Sequence, residues 1–177
     1  MMKILFLHLS DAHLTQETNL SEINTNAIVN SLSQMGNFDE CVLVFSGDIA
    51  NSGNENEYKV AGRMFGRIIK GIIDKYFDGN KHIQTLIVPG NHDNLVGNPD
   101  RKREEIIGFY KDKKTEIHYY DDLVELDNFF DFANRNYCFS RNKNIEIRSL
   151  RFGSFMIKVN LINSAPFSLL KSENGDK

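Results

Sequence analysis

The sequence predicts an α/β fold built on a parallel sheet. Three observations carry this. Apolar runs at Lys3–Leu9, Cys41–Phe45 and Gln84–Val88 have the length and composition of buried strands. Segments of helical period separate them. Each run breaks off at side chains suited to metals: Asp11-Ala12-His13, Gly47-Asp48 and Gly90-Asn91-His92-Asp93. The order strand–helix–strand–helix–strand implies parallel strands joined by crossovers.

The 177 residues suit a single domain, with 41% hydrophobic and 25% charged residues, enough to bury a core. A net charge of −3 gives no basic field of the kind that advertises nucleic acid, although a local groove can differ from the total. Cys41 and Cys138 are far apart and in no CxxC spacing, so a disulfide framework is not expected and a cytoplasmic location is. The apolar N-terminus, Met1–Leu7, is too short for a signal segment and lacks a small-residue cleavage site. No apolar stretch reaches the roughly 18 residues of a membrane span.

The first strand is nearly all apolar, as if covered on both faces. Ser21 is a fitting N-cap for a helix running to about Met35, with Ile23, Ala27, Ile28, Leu32 and Met35 as its apolar face. Gly36-Asn37 closes it. Glu55 to about Tyr76 is the second helix. Tyr58, Phe65, Ile68, Ile69, Ile72 and Ile73 form its buried face, and Gly62, Gly66 and Gly71 permit close approach to the sheet. Residues from about 94 to 136 break the pattern. They read as a charged insertion that rims the site, with a helix from Asp121 to Asn134. Its run Arg101-Lys102-Arg103 is either a solvated face or a phosphate contact. Ile145–Leu150 and Phe155–Ile162 are strand-like, and Gly153-Ser154 between them predicts an antiparallel hairpin.

In open parallel sheets ligands bind beyond the carboxyl ends of the strands. Neighbouring strands would therefore bring Asp11, His13, Asp48, Asn91 and His92 to one edge. Asp-x-His can chelate one ion, and an aspartate can bridge two ions about 3.5–4 Å apart. Gly47 and Gly90, without Cβ atoms, let the backbone come close. Carboxylate, amide and imidazole together suit Mn, Fe or Zn. Taken singly, each motif has an ordinary reading as a cap, a turn or a loop histidine. In this order, each directly after a buried strand, they form a strong pattern.

That pattern, D-x-H, then G-D, then G-N-H-D, resembles the calcineurin-like metallophosphoesterase superfamily. The resemblance implies a two-sheet sandwich flanked by helices, with two divalent metal ions. It implies that Asp11 and His13 bind the first metal, Asp48 bridges both and Asn91 binds the second. His92 would face the phosphate as the catalytic acid, while a hydroxide held by the metals attacks phosphorus in line. Asp93 would orient the loop, and Asn51 falls in the same supporting or substrate-facing role. The stretch from Phe45 to Gly53, followed by Glu57-Tyr58, is most similar to bacterial phosphodiesterases of the cyclic-nucleotide type. It implies a small phosphoester or nucleotide substrate, with nucleic acid as the less favoured partner.

The superfamily pattern continues with a lone His and then G-H-x-H, and neither is present. No histidine follows His118, and His8, His82 and His118 are misplaced for ligands. The chain is therefore expected to hold the N-terminal half to two-thirds of such a domain, the rest lying downstream in a longer protein. A second chain supplying the missing half is an alternative. Two other functions stay open: a DNA exo- or endonuclease of the same superfamily, and a binding or scaffolding module that keeps half a metal site.

Overall fold

The computed structural model describes residues 1–20, 24–79, 81–95, 126–136 and 145–165. Three parallel strands, β1 (Ile4–Leu9), β2 (Glu40–Ser46) and β3 (Gln84–Val88), lie in sequence order in one sheet. Helix α1 (Thr25–Ser31) leads into a 3-10 turn at Leu32–Met35, and α2 (Glu55–Tyr76) connects β2 to β3. A second 3-10 turn follows at Asn91–Asp93. Then come α3 (Asp127–Asn136) and an antiparallel pair, β4 (Ile145–Phe152) and β5 (Phe155–Ile162). The second sheet turns at Gly153-Ser154, with Gly153 at φ 57°. The result is a mixed α/β architecture with a parallel sheet, a second sheet and flanking helices, as the sequence predicts.

Phe45 of β2 and Phe65 of α2 anchor the core, their ring centroids 5.2 Å apart and both side chains buried. Leu43, Ile68, Ile72 and Ile87 fill the space around them. The α2 bounds coincide with the expected ones because their causes are local. Asn54 caps the helix, its Oδ1 accepting from Asn56 N at 2.9 Å, and an apolar stripe runs the helix's full length.

Several expectations need correction. α1 begins at Thr25, with Asn24 Oδ1 accepting from Ala27 N at 2.8 Å; Ser21 and Ile23 lie outside the described residues. Its buried side chains are Thr25 and Val29, joined by Leu32 of the turn, whereas Ala27 and Met35 are exposed. The reason is its partner. Val29 sits on Gly71 of α2, where an added Cβ would meet Val29 Cγ2 at 2.9 Å. Gly71 therefore serves helix–helix approach rather than helix–sheet approach. Nothing crowds Gly66, and a Cβ on Gly62 would make only ordinary contact with Phe132.

β1 is also not covered on both faces. It pairs only with β2 among the described residues, and Phe6 is 41% exposed. The end of the expected rim segment is core instead. Phe129, Phe130 and Phe132 of α3 are buried, and Phe132 stacks on Tyr58 with centroids 5.3 Å apart. The expected start of that helix at Asp121 lies outside the described residues, as do Arg101, Lys102, Arg103, His118 and Cys138.

Candidate metal centre

The parallel register of β1 and β2 does not stop where the strands do. Beyond the pairing of Leu9 with Phe45, Asp11 N donates to Gly47 O at 3.2 Å and His13 N to Asp48 O at 3.0 Å. Leu14 N then donates to Ile49 O, and Asn51 N returns a bond to Leu14 O, both at 3.0 Å. The two loops are zipped together, and this carries Asp-x-His alongside Gly-Asp. One ligand atom from each of Asp11, His13 and Asp48 lies within 4.8 Å of the others. Donors about 2.1 Å from one tetrahedral ion stand about 3.4 Å apart, so the three ligand atoms would have to draw together by up to about 1.4 Å to share one cation. Two carboxylates and an imidazole, exposed to half-buried, suit a divalent metal of the Mn, Fe or Zn kind.

The backbone is strained at these same positions. Asp11, His13 and Asp48 have φ of 56°, 44° and 52°, and the only other such non-glycine residue among those described is Asp78. Residues in this region cost of order 1–3 kcal/mol each, and they persist where surrounding structure holds them. Aspartate and histidine tolerate it better than most. Three strained residues that are also the three candidate ligands point to a site shaped for its side chains.

The third loop packs against the second. A Cβ on Gly47 would meet Gly90 Cα at 3.1 Å, and one on Gly90 would meet Asp48 N at 2.5 Å. His92 N donates to Asp48 Oδ1 at 2.8 Å, so the 3-10 turn holds the Asp48 carboxylate from its side. The His92 ring stands edge-on to His13, centroids 4.5 Å apart and planes at 86°. His92 Nδ1 lies 2.9 Å from Asn51 O. A carbonyl can only accept, so Nδ1 carries the proton and Nε2 is the nitrogen left for chemistry. Asn51 thus enters through its backbone. Asn91, half-buried, opens the turn, and its carbonyl accepts from Asn94 Nδ2 at 2.8 Å. His8 Nε2 lies 2.6 Å from Ser46 Oγ, apart from the ligand group.

Asp93 faces away from solvent. Its carboxylate accepts from Gly90 N (2.8 Å), Ala50 N (2.9 Å), Tyr58 Oη (3.0 Å) and Ile49 N (3.2 Å). It therefore ties the second and third loops to each other and to α2. Burial pushes its pKa from 3.8 up to about 6, against the opposing pull of the bonds from Ala50, Gly90, Ile49 and Tyr58. Burial, with Asp93 beside it, also raises Tyr58 well above its ordinary value.

The unfolded chain releases the Asp93 proton near pH 3.8 and the folded protein near 6, so folding takes up a proton between them. Stability should fall by up to about 3 kcal/mol as pH rises through that window, then level off. Urea unfolding of wild type and Asp93→Asn from pH 4 to 7 checks this. The wild type should lose ground against the variant up to pH 6, and parallel curves would refute it.

Three supporting residues went unnoticed as site residues in the sequence: Glu57, Tyr58 and Asn94. Asn54-x-x-Glu57 is capping-box spacing, a signal that could have marked Glu57. Tyr58 looked like one more apolar-face residue. Asn94, buried, also donates to Ala165 O at 3.4 Å, a contact 71 residues away in sequence that no local pattern announces.

The family model for calcineurin-like phosphoesterase matches residues 4–170. No curated protein and no solved structure matches the chain. With the Asp11–His13–Asp48 group, the family match supports a metal-dependent phosphoesterase in general terms. No helix among the described residues is long and apolar enough to cross a membrane.

Proposed function

The chain belongs to the calcineurin-like phosphoesterase family, and we propose that it hydrolyses phosphodiester or phosphomonoester bonds of small, nucleotide-type substrates in a metal-dependent reaction. One observation carries the reading. Asp11, His13 and Asp48 converge at the carboxyl end of the parallel sheet, with the His92 ring against His13.

In this reading Asp11, His13 and Asp48 hold one divalent ion. Asp48 and Asn91 would contribute to a second. When bound, the metals supply Lewis acidity toward the phosphoryl oxygens and lower the pKa of a water toward about 7. His92, with Nδ1–H given to Asn51 O, turns Nε2 toward the phosphate, and in its imidazolium form, protonated at Nε2 as well, it would deliver that Nε2 proton to the leaving oxygen and be left as the neutral Nδ1–H tautomer. Asp93 holds the loops. Cys41, free and buried with its thiol pushed up to about 11, suits a reducing cytoplasm.

The test is hydrolysis of bis-p-nitrophenyl phosphate with Mn against EDTA, followed by cyclic nucleotides and single-stranded DNA. Mn-dependent turnover of the first two is expected. His92→Ala should lower kcat about 100-fold or more while leaving the Mn-induced rise in Tm in place. Rapid DNA cleavage without cyclic-nucleotide turnover would favour the nuclease alternative. Absence of any Mn-dependent hydrolysis would favour a binding or scaffolding module.

A further inference from the structure

We propose that Glu57, in the first turn of α2, is a positioning residue for His92, acting through the single peptide group that joins Asn51 to Ser52. This deepens the phosphoesterase reading and rests on it for the role of His92. The two ends of that peptide group face different partners. Its carbonyl, Asn51 O, takes His92 Nδ1–H at 2.9 Å. Its amide, Ser52 N, donates to Glu57 Oε2 at 2.9 Å. A peptide unit is planar, so fixing the direction of its N–H fixes the direction of its C=O. None of the described peptide bonds is cis, so the two groups of this one point opposite ways, one to the carboxylate and one to the imidazole.

Glu57 is well placed to hold that plane. It is 5% exposed, and its carboxylate also accepts from Ser52 Oγ at 2.9 Å and Asn54 N at 3.0 Å. Three bonds to one side chain fix the loop at both Ser52 and Asn54. The other side of the same stretch is fixed by Asn51 N donating to Leu14 O. A negative charge on the N–H end also polarises the amide and makes the carbonyl a better acceptor. Both effects favour one His92 tautomer, with Nε2 free, and one ring orientation. A buried Glu at this helix position is more than a cap.

Glu55 supplies the contrast. It lies in the same first turn, but it is exposed and pairs with Lys59 at 3.1 Å. A role confined to helix stability would be shared by Glu55, whereas control of His92 would not.

The experiment reads the ring nitrogens of His92 by ¹⁵N NMR in metal-free protein. Wild type and Glu55→Ala should both show the Nδ1–H tautomer almost alone. Glu57→Ala should shift His92 toward a mixture of tautomers and lower kcat about tenfold or more, with Mn affinity within about twofold of wild type, since no metal ligand touches Glu57. Glu57→Gln, which keeps one acceptor oxygen, should lie between. If Glu57→Ala fails to fold, Glu57→Gln decides by the same shifts. His92 shifts unchanged in a folded Glu57 variant overturn the proposal, as does an equal change in Glu55→Ala. The readout needs neither metal nor turnover, so a wild type that hydrolyses nothing would sink the phosphoesterase reading and leave this result standing.

Discussion

Gly90→Ala is expected to destabilise the protein by about 3 kcal/mol or more and to abolish its Mn-induced rise in Tm. The cause is steric alone. Gly90 has φ −106° and ψ −173°, an extended conformation open to any residue. What forbids a side chain is the neighbour: the added Cβ would stand 2.5 Å from Asp48 N and overlap the Asp48 carboxylate. Neither can step aside cheaply. Asp48 is held through its carbonyl by His13 N, and its carboxylate by His92 N. The loops must separate, and the separation pulls Asp48 away from Asp11 and His13. Gly79→Ala is the control. It has φ 78° but nothing within 4 Å of a Cβ, so it should cost only the left-handed backbone penalty of about 1–2 kcal/mol and keep its response to Mn. Urea unfolding and Mn thermal shifts on the two variants make the comparison. Equal loss of the Mn response in both would refute the steric account.

The same closeness explains which parts of the molecule could be read in advance. Gln84–Val88 and Glu55–Tyr76 sit where the sequence puts them because their causes lie inside their own segments. One is an apolar run stopped by Pro89-Gly90, and the other an apolar stripe opened by Asn54. Asp11, His13 and Asp48 were legible for a related reason: a strand's end in a parallel sheet fixes where its next residues go. The face of α1 was legible only in part, with Leu32 buried and Ile28 packed against the core as expected. Val29 is buried where Gly71 of α2 leaves room for it, a fact that lies more than forty residues along the chain. The open face of β1 was not legible, because an apolar run reads the same whether one face or both are covered.

Glu57 and Tyr58 were hidden for a different reason, whereas the sequence does mark Asp93, as the residue that orients the loop. Asp93, Glu57 and Tyr58 act largely on backbone groups: the amides of Ile49, Ala50, Gly90, Ser52 and Asn54 and the carbonyl of Asp93. A motif records side chains, whereas these three residues record where peptide groups end up. They form the layer that keeps three strained residues in place, and they are drawn from the third loop and the first turn of a helix. The ligand pattern in the sequence is therefore only the inner part of the site. The outer part becomes visible when the loops are seen zipped against one another.

Asp48→Asn should separate metal binding from folding, because its effects on the two have opposite signs. Asparagine tolerates the left-handed backbone at least as well as aspartate, so φ 52° costs no more than before. Its Oδ1 can still accept from His92 N. Without metal, the substitution removes one of two carboxylates in a group whose ligand atoms lie within 4.8 Å, and like charges at that range repel. Metal-free Tm should therefore stay level or rise by about 2–4 °C, the response of a domain of this size to about 1 kcal/mol. With metal the sign reverses. The site loses a charge and the oxygen proposed to bridge two ions, so Mn affinity should fall about 100-fold or more. A 100-fold weaker site forfeits about 2.7 kcal/mol of ligand-linked stability. Calorimetry with and without Mn measures both effects on one sample. A variant that is less stable without metal and unchanged in its Mn response would make Asp48 a structural turn residue. Gain without metal and loss with it would mark Asp48 as a carboxylate placed for a cation rather than for the fold.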